Sequence, residues 1–410
     1  MNDPHWNQAL SALPASCDVL VVGAGPAGSA CAQQLARAGL KVVMIDGQAF
    51  PREKICGDGL VPDTHAALAR LGLLDQVLAR AHGVTHAHCV APSRQAVDVP
   101  GTLAVLPRKE LDALLCASAV EAGVLMAAPV RYESPKRDER GRRVVGAVLS
   151  QDGATHTLAA RWVVLATGAT PAALQASQMC TRRTPSGVAL RAHVRHPELA
   201  KTVTGLHFVW HPRLKGGYGW IFPGPDGVFN IGVGGLSGRD DAHAHKPANL
   251  RQMFEAFTQI DDTAGQLWRE GEHLGGLKGA PLRCDLQGAR RSDAGMLVVG
   301  DAVGATYAFT GEGIGKAMET GIAAAEAIVA GGDDSAVRAR YEAALQAMQP
   351  RFDMYLKAAS FNRHPWLLNL MVWRARRSAR IISRLADILA ERRMPGTLLS
   401  WRGLKALLRA

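Results

Sequence analysis

Asp18-Val19-Leu20-Val21-Val22-Gly23-Ala24-Gly25-Pro26-Ala27-Gly28-Ser29-Ala30 is the stretch on which the reading of this chain turns. A short, continuously apolar run ends in a glycine and passes straight into residues suited to a helix. Runs that do not alternate apolar with polar residues suit buried parallel strands, which are covered on both faces. The pattern predicts a strand over Asp18 to Val22, a Gly-rich turn and a helix over Pro26 to Ala38. Gly39 is placed to cap that helix, and a second strand follows over Lys41 to Asp46. Within this βαβ unit, Gly23, Gly25 and Gly28 form a G-x-G-x-x-G. Gly23 permits the tight turn, Gly25 lets the backbone approach a pyrophosphate, and Gly28 allows close helix packing. The helix N-terminus adds its positive dipole, and Asp46 at the end of the second strand is placed to accept hydrogen bonds from a ribose. The unit reads as a dinucleotide site.

Two further apolar runs end in glycine, Trp162 to Gly168 and Met296 to Gly300. In doubly wound sheets ligands sit beyond the carboxyl ends of the strands, so the three glycines are expected to meet at one ligand. The third run continues through Asp301 to Thr310-Gly311-Glu312-Gly313-Ile314-Gly315 and an Ala-rich helix. A carboxylate after a strand suits ribityl hydroxyls, and a Gly-rich helix start directs N–H groups at a flavin's N1 and C2 carbonyl, where charge collects on reduction. That second constellation points to FAD rather than NAD. Asp301 as an ordinary helix cap is the competing reading.

The expected fold is α/β, α+β overall: a Rossmann-like FAD-binding domain with an inserted mixed β-sheet substrate domain and a C-terminal helical segment. The FAD-binding domain is assigned to 17–170 and 286–345, with about 84–106 contributing to the substrate domain. The substrate domain takes 171–285, where patches such as Gly205 to Trp210 and Gly227 to Val233 look like strands, and 346–410 is a basic helical region.

The composition is that of a folded globular protein, with 48% hydrophobic and 20% charged residues in 410. The net charge of +11 is concentrated. Thirteen of the 47 Lys and Arg and three of the 36 Asp and Glu fall in 351–410, so the rest of the chain is close to neutral. The seven cysteines form no C-x-x-C pair and have no ligand-spaced His, which reads as reduced thiols in a cytosolic protein with no metal. No signal peptide or membrane-spanning run is read, so membrane contact is expected to be peripheral, at the inner face. On a helix from Arg374 to Glu391, residues Ile381, Ile382, Leu385, Ile388 and Leu389 form one apolar stripe beside Arg376, Arg377, Arg380 and Arg384. Leu398, Trp401, Leu404, Leu407 and Leu408 repeat the pattern. Two destinations remain open for the first stripe, an anionic membrane or the protein's own body. Nucleic acid is disfavoured, because the aromatics do not lie among the arginines.

Taken together, Gly23 to Gly28, Pro51-Arg52-Glu53-Lys54-Ile55-Cys56-Gly57-Asp58-Gly59-Leu60, Gly217-Tyr218-Gly219-Trp220-Ile221-Phe222-Pro223, Asn230-Ile231-Gly232-Val233-Gly234 and the Gly300 to Gly315 region resemble the geranylgeranyl reductase family. That family belongs to the flavoproteins resembling p-hydroxybenzoate hydroxylase, and the resemblance runs from about residue 17 to 345. It implies an FAD-dependent reductase of carbon–carbon double bonds in a lipophilic isoprenoid, prenyl quinones included. It places Arg52, Cys56 and Gly57 along the flavin and Arg108 near the FAD linker, with Ala27 and Ile314 also against the cofactor. Tyr218, Trp220, Phe222 and Pro223 would line the substrate cavity. Cys56 is the candidate catalytic residue, a thiol able to donate or relay a proton, with a packing role as its alternative. NAD(P)H or a reduced electron-transfer protein would supply electrons. Two departures from the pattern are Thr167-Gly168, where the superfamily's hydroxylases carry Asp-Gly, and Ala308, where the family carries proline. The rival readings are an FAD-dependent monooxygenase or halogenase acting on a hydrophobic aromatic, and a flavin-free prenyl-binding escort protein.

Overall fold

A computed structural model describes residues 6–214, 216–236, 249–359 and 364–394. The opening strand, Ser16–Val22, pairs in parallel with Val42–Ile45 on one side and with Ala154–Leu165 on the other. Val42–Ile45 pairs in parallel with Leu125–Ala127, and Ala154–Leu165 with Met296–Val298. Five parallel strands therefore lie side by side, with the first apolar run at the centre and the other two next to it in order. Val19, Leu20 and Val21 are fully buried, as are Val163 and Val164 and all of Met296–Val298, which is why none of these strands alternates. An antiparallel hairpin, Arg131–Arg137 and Val144–Gln151, extends the sheet from the N-terminal half of Ala154–Leu165.

The helices on this sheet pack through glycine. Helix Pro26–Arg37 begins with proline in its first turn, where a missing N–H costs nothing. Gly39 follows its end at φ +85°, the left-handed conformation a helix stop favours. A Cβ on Gly28 would sit 1.8 Å from the Gly23 carbonyl oxygen, so the strand-to-helix turn closes only with glycine there. Helix Ile314–Val329 lies against Pro26–Arg37, and a Cβ on Gly321 would come within 2.2 Å of the Ala27 carbonyl oxygen. The two glycine-rich helix starts are thus fixed relative to each other by backbone contact.

The second sheet has nine strands drawn from three separate parts of the chain. Gly59–Leu60 pairs with Ala96–Val105, and Ala96–Val105 with His82–Val90. Leu206–Val209 joins His82–Val90 in parallel. From there Gly217–Pro223, Val228–Leu236 and Gly187–Arg195 follow as antiparallel neighbours. Strand Gly217–Pro223 presents Tyr218, Trp220 and Phe222 on one face. Its other face takes helices Leu250–Ile260 and Asp262–Glu270, capped by the side chains of Asn249 and Asp261. A Cβ on Gly219 would lie 2.4 Å from the Phe257 ring, so glycine on that face lets the helix close on the strand.

Three C-terminal helices follow, Asp334–Ala359, Pro365–Ala375 and Ala379–Leu389. The single helix expected over Arg374 to Glu391 is interrupted. Ser378, a capping residue by type, is extended, and its carbonyl accepts the N–H groups of Ile381 and Ile382 to start a new helix. The apolar stripe of that new helix turns inward: Ile381 is buried, and Ile382, Leu385 and Leu389 pack against residues of the second sheet. The stripe beginning at Leu398 lies outside the described residues. No helix among the described residues is long and apolar enough to cross a membrane.

Because Gly321 sets the spacing of the two glycine-rich helices, Gly321→Val should destabilise the fold by about 1–3 kcal/mol, the usual cost of overpacking. Chemical denaturation checks this. An unchanged midpoint would show that the helices part without penalty.

Candidate active site

Between the two sheets lies a cleft of about 820 Å3. Both glycine-rich helices start at its wall, and neither is capped by a side chain: their N-cap residues are Gly25 and Gly313. Uncapped first-turn N–H groups aimed into a cleft are donors that await an anion or a carbonyl. A Cβ at Gly25 would meet only the ends of two guanidinium groups, Arg52 at 3.6 Å and Arg108 at 3.8 Å. The protein's own packing does not demand glycine there, so the demand is that of a ligand.

The two arginines are held by carboxylates. Asp46 Oδ2 accepts from Arg52 Nε at 3.2 Å, from its Nη2 at 3.1 Å and from the Ala24 N–H at 3.0 Å. The fully buried Asp112 accepts from Arg52 at 3.0 Å and from Arg108 through a two-pronged pair at 2.7 and 2.8 Å. Such forked pairs fix guanidinium orientation as well as charge. The result is a rigid cationic arch over Gly25, suited to a pyrophosphate. Two more polar atoms lining the cleft, Thr167 Oγ1 and Arg191 Nε, are buried with no partner. A group rich in hydroxyls, phosphates and ring carbonyls fits these donors, and FAD is such a group.

Most residues singled out from sequence converge on this cleft: Gly23, Gly25, Ala27, Asp46, Arg52, Cys56, Gly57, Arg108, Asp301, Gly311, Gly313, Ile314, Tyr218, Trp220 and Phe222 all line it. Gly28 and Gly300 lie beneath the surface as packing positions, Gly300 at φ +64° with its Cα side against Ala27. Pro223 is buried one position past Phe222 and is not part of the lining. Asp301 sits in a short 3₁₀ turn, Gly300–Ala302, and accepts from Thr306 at 2.8 Å, while Gly313 occupies the cap of the long helix.

Cys56 is placed by a network that the sequence did not reveal. Asn230 donates to the Cys56 carbonyl at 2.7 Å and to Asp58 at 2.7 Å, and it accepts from Trp220 Nε1 at 2.9 Å. Asp58, buried and at φ +66°, also pairs with His193 at 2.8 Å and accepts from the Arg108 N–H at 3.2 Å. Burial pushes the Cys56 thiol upward, against the opposing pull of the Arg108 guanidinium beside it. The thiol is therefore neutral near pH 7 and carries a proton.

A second buried cluster lies where the cleft meets the C-terminal helices. Lys316 donates to Glu319 at 2.9 Å and to Glu391 at 2.9 Å and lies 3.5 Å from Asp63; Tyr307 donates to Glu391 at 3.0 Å. A Cβ on Gly315 would meet the Asp63 carboxyl at 2.4 Å, so glycine admits Asp63 to the helix start. Desolvation pushes the Glu312 carboxyl up to about 8, with Asp63 and Glu391 adding to the rise and Lys316 opposing it. Asp63 is likewise pushed up, to about 6. Four carboxyls share the cations Lys316 and Arg351, so part of the acid cluster stays protonated at neutral pH.

A doubly wound domain whose two open helix starts share one cleft with an inserted sheet defines a flavin-dependent oxidoreductase. Over residues 16–352 the chain matches the FAD binding domain family. It is 34% identical over 332 residues to menaquinone reductase of Mycolicibacterium smegmatis, covering 77% of each chain. To digeranylgeranylglycerophospholipid reductase 2 of Methanopyrus kandleri it is 29% identical over 311 residues, 75% of this chain and 76% of that one. The fold matches a geranylgeranyl bacteriochlorophyll reductase-like protein from Thermoplasma acidophilum, with a TM-score of 0.70, 21% identity and 96% of each chain covered. It also matches the flavin-dependent brominase Bmp2, with a TM-score of 0.73, 21% identity and 96% and 98% covered. The chain belongs to the geranylgeranyl reductase family of FAD-dependent oxidoreductases. A flavin-free escort protein finds no support in these relatives.

Two predictions follow from the geometry. Gly25→Val should lose nearly all bound flavin while its unfolding midpoint matches that of flavin-stripped wild type, because the protein itself leaves room for a Cβ there; flavin absorbance per chain measures the loss. Retained flavin would remove the pyrophosphate from Gly25. The second concerns Glu312, whose carboxyl in the folded chain titrates near 8 instead of its ordinary 4.5. The folded state then binds the extra proton, so this contribution to stability is complete below the ordinary carboxylate range and is lost as pH rises through about 8. Asp63 acts with the same sign but is spent near 6. Melting temperature should therefore fall between pH 6 and pH 8, and Glu312→Gln should flatten that fall.

Proposed function

We propose that this protein reduces carbon–carbon double bonds in a lipophilic isoprenoid, a prenyl quinone or a geranylgeranyl lipid. The observation that carries the reading is the aromatic wall on the flavin cleft: Tyr218, Trp220 and Phe222 share one strand face with Phe208 against them, its ring 5.2 Å from Phe222 and 5.8 Å from Tyr218. Such a wall binds hydrocarbon through area and offers few polar handles. The names of the relatives, reductases of menaquinone and of a digeranylgeranyl lipid, point to the same chemistry.

FAD, when bound and reduced, supplies the hydride. The chain supplies the rest. The cationic arch of Arg52 and Arg108 would anchor the pyrophosphate, and the open helix start at Gly313 would supply N–H groups and dipole to the negative charge that collects on reduction. The neutral, half-buried thiol of Cys56 would hold a proton for the alkene carbon that does not receive hydride. Asp58, His193 and Asn230 keep that loop in place. NAD(P)H bound transiently, or a reduced electron-transfer protein, would supply the electrons, since the sequence carries one dinucleotide fingerprint.

This reading also sets the protein on an anionic membrane surface, where its substrate resides. Support comes from helix Pro365–Ala375, on which Trp366 and Trp373 are 59% and 38% exposed and lie seven residues apart, on one face. Arg377 stacks over Trp373 at 4.4 Å, and Arg376 and Arg380 are exposed nearby. Interfacial tryptophan with arginine is a bilayer-facing combination.

Anaerobically reduced enzyme should be reoxidised by a prenyl quinone or geranylgeranyl lipid without oxygen. Product formed only in air and carrying an oxygen or halogen atom would assign the cleft to a monooxygenase or halogenase instead. Cys56→Ser should slow reoxidation at least tenfold with flavin content kept, whereas parallel losses would mark a packing role. The full chain should float with anionic vesicles at low salt and be released at high salt, and Trp366→Ala with Trp373→Ala should abolish flotation. Flotation that survives the double substitution would move the contact elsewhere.

A further inference from the structure

Arg52 and Arg108 reach the flavin cleft already held by carboxylates at hydrogen-bond distance; Arg191, on the second sheet, does not. It projects from strand Gly187–Arg195 and lines the cleft with its side chain 4% exposed. Its Nε has no hydrogen-bond partner among the described residues. The one carboxylate among them within ion-pair reach is Glu53, whose Oε2 stands 4.0 Å from Nη2, too far for a hydrogen bond, and is bound at 2.5 Å by Lys278. Lys278 is itself the direct antiparallel partner of Arg191 in the sheet. Like charges set opposite each other in a strand pair repel, and a buried guanidinium without an anion costs stability. One half-exposed glutamate is thus shared by two cations, and the group is short of a negative charge.

The same sheet face says what that missing charge is attached to. Arg191, Gly232 and Trp220 are neighbours in one row across three strands. A Cβ on Gly232 would stand 2.3 Å from the Trp220 ring, so glycine lets the indole lie over the middle strand, on the side of Arg191. The row runs from an aromatic surface to a guanidinium in want of an anion, which suits a molecule with an apolar or ring-bearing body and an anionic group.

We propose that Arg191 and Lys278 form a phosphate subsite on the second-sheet wall of the cleft, serving a ligand other than FAD. The inference rests on the reductase reading for the role of that ligand, which is either an isoprenoid lipid with a phosphate head or a nicotinamide donor with its phosphates. Phosphate fits the pair because a guanidinium offers a fork of donors and the neighbouring ammonium adds charge. The pyrophosphate of FAD has donors of its own in the arch over Gly25, which leaves Arg191 for a second molecule. Glu53 is a placeholder: 54% exposed and tied at hydrogen-bond distance to Lys278, it gives way when phosphate arrives.

The test titrates FAD-loaded enzyme with geranylgeranyl diphosphate and geranylgeraniol, and with NADP+ and nicotinamide riboside, reading dissociation constants from the flavin absorbance change. Arg191→Met keeps the bulk and removes the charge. It should weaken one phosphate-bearing probe by about tenfold to a hundredfold, the usual worth of a hydrogen bond to a charged group, and leave its phosphate-free counterpart unchanged. A loss for geranylgeranyl diphosphate assigns the subsite to the lipid head, and a loss for NADP+ assigns it to the donor. Glu53→Gln, at an exposed position, should tighten the same probe severalfold, and it carries the test should Arg191→Met fail to fold. Flavin lost from folded Arg191→Met would return the guanidinium to the cofactor and overturn the inference. Affinities unchanged in flavin-loaded Arg191→Met, or in Glu53→Gln where it alone folds, would overturn it too, as would wild-type enzyme that binds neither phosphate-bearing probe. Each of these outcomes leaves the reductase standing so long as anaerobically reduced wild type is reoxidised by a prenyl quinone or geranylgeranyl lipid.

Discussion

The structure depends on close approach at three glycines, two of them backbone against backbone. Gly28 rests on the Gly23 carbonyl, Gly321 on the Ala27 carbonyl, and Gly300 on the Ala27 methyl group. A Cβ at any of these would stand within 2.7 Å of its neighbour, below any tolerable contact. Because they meet there, helices from opposite ends of the chain bring their starts to one cleft. Everything polar in the cofactor site is arranged around that meeting: the arch of Arg52 and Arg108 on one side, the Gly311 to Gly313 turn on the other. Glycine at Gly25 is of another kind, since no protein atom requires it.

The fingerprint, its strands and the second glycine constellation were legible in the sequence because each is a local pattern with one structural solution. The alternation of Tyr218, Trp220 and Phe222 is likewise local. The partners of Cys56 were not legible. Asn230 and His193 stand more than 130 residues from Asp58, on strands whose register with the Cys56 loop only the fold determines. Asp112 came closer to detection, four residues after Arg108 on one helix, a spacing that favours an ion pair. The tail shows the limit most plainly. Its apolar stripe was readable, but an amphipathic helix reports only that one face must be covered, and here Gly101 and the second sheet cover it.

Two charge clusters divide the cleft's electrostatics. At the Gly25 end, Asp46 and Asp112 orient Arg52 and Arg108 while both guanidinium groups still reach Gly25. At the far end, carboxyls outnumber cations, and burial resolves the excess by protonation of Glu312. A charged carboxylate beside the rings of Tyr218 and Phe208, which line the cleft with Glu312, would hold water against them. A neutral one does not, so the acid cluster and the aromatic wall are compatible because the cluster is under-supplied with positive charge.

The strand Gly217–Pro223 shows how one segment serves both domains. Glycine at 217 and 219 lets the helix Leu250–Ile260 press Met253 and Phe257 against its back. That support holds its front, three rings in a row, rigid against the cleft. Phe222 then receives the Cys56 loop, since Cβ atoms on Gly57 and Gly59 would stand only 3.2 and 3.3 Å from its ring. Trp220 fixes Asn230, which fixes the Cys56 carbonyl. Tyr218 donates to the Thr310 carbonyl and so ties the strand to the turn before Gly311. The aromatic wall, the thiol loop and the turn before Gly311 are therefore positioned by successive residues of one strand face, and a shift of that strand would move all three together.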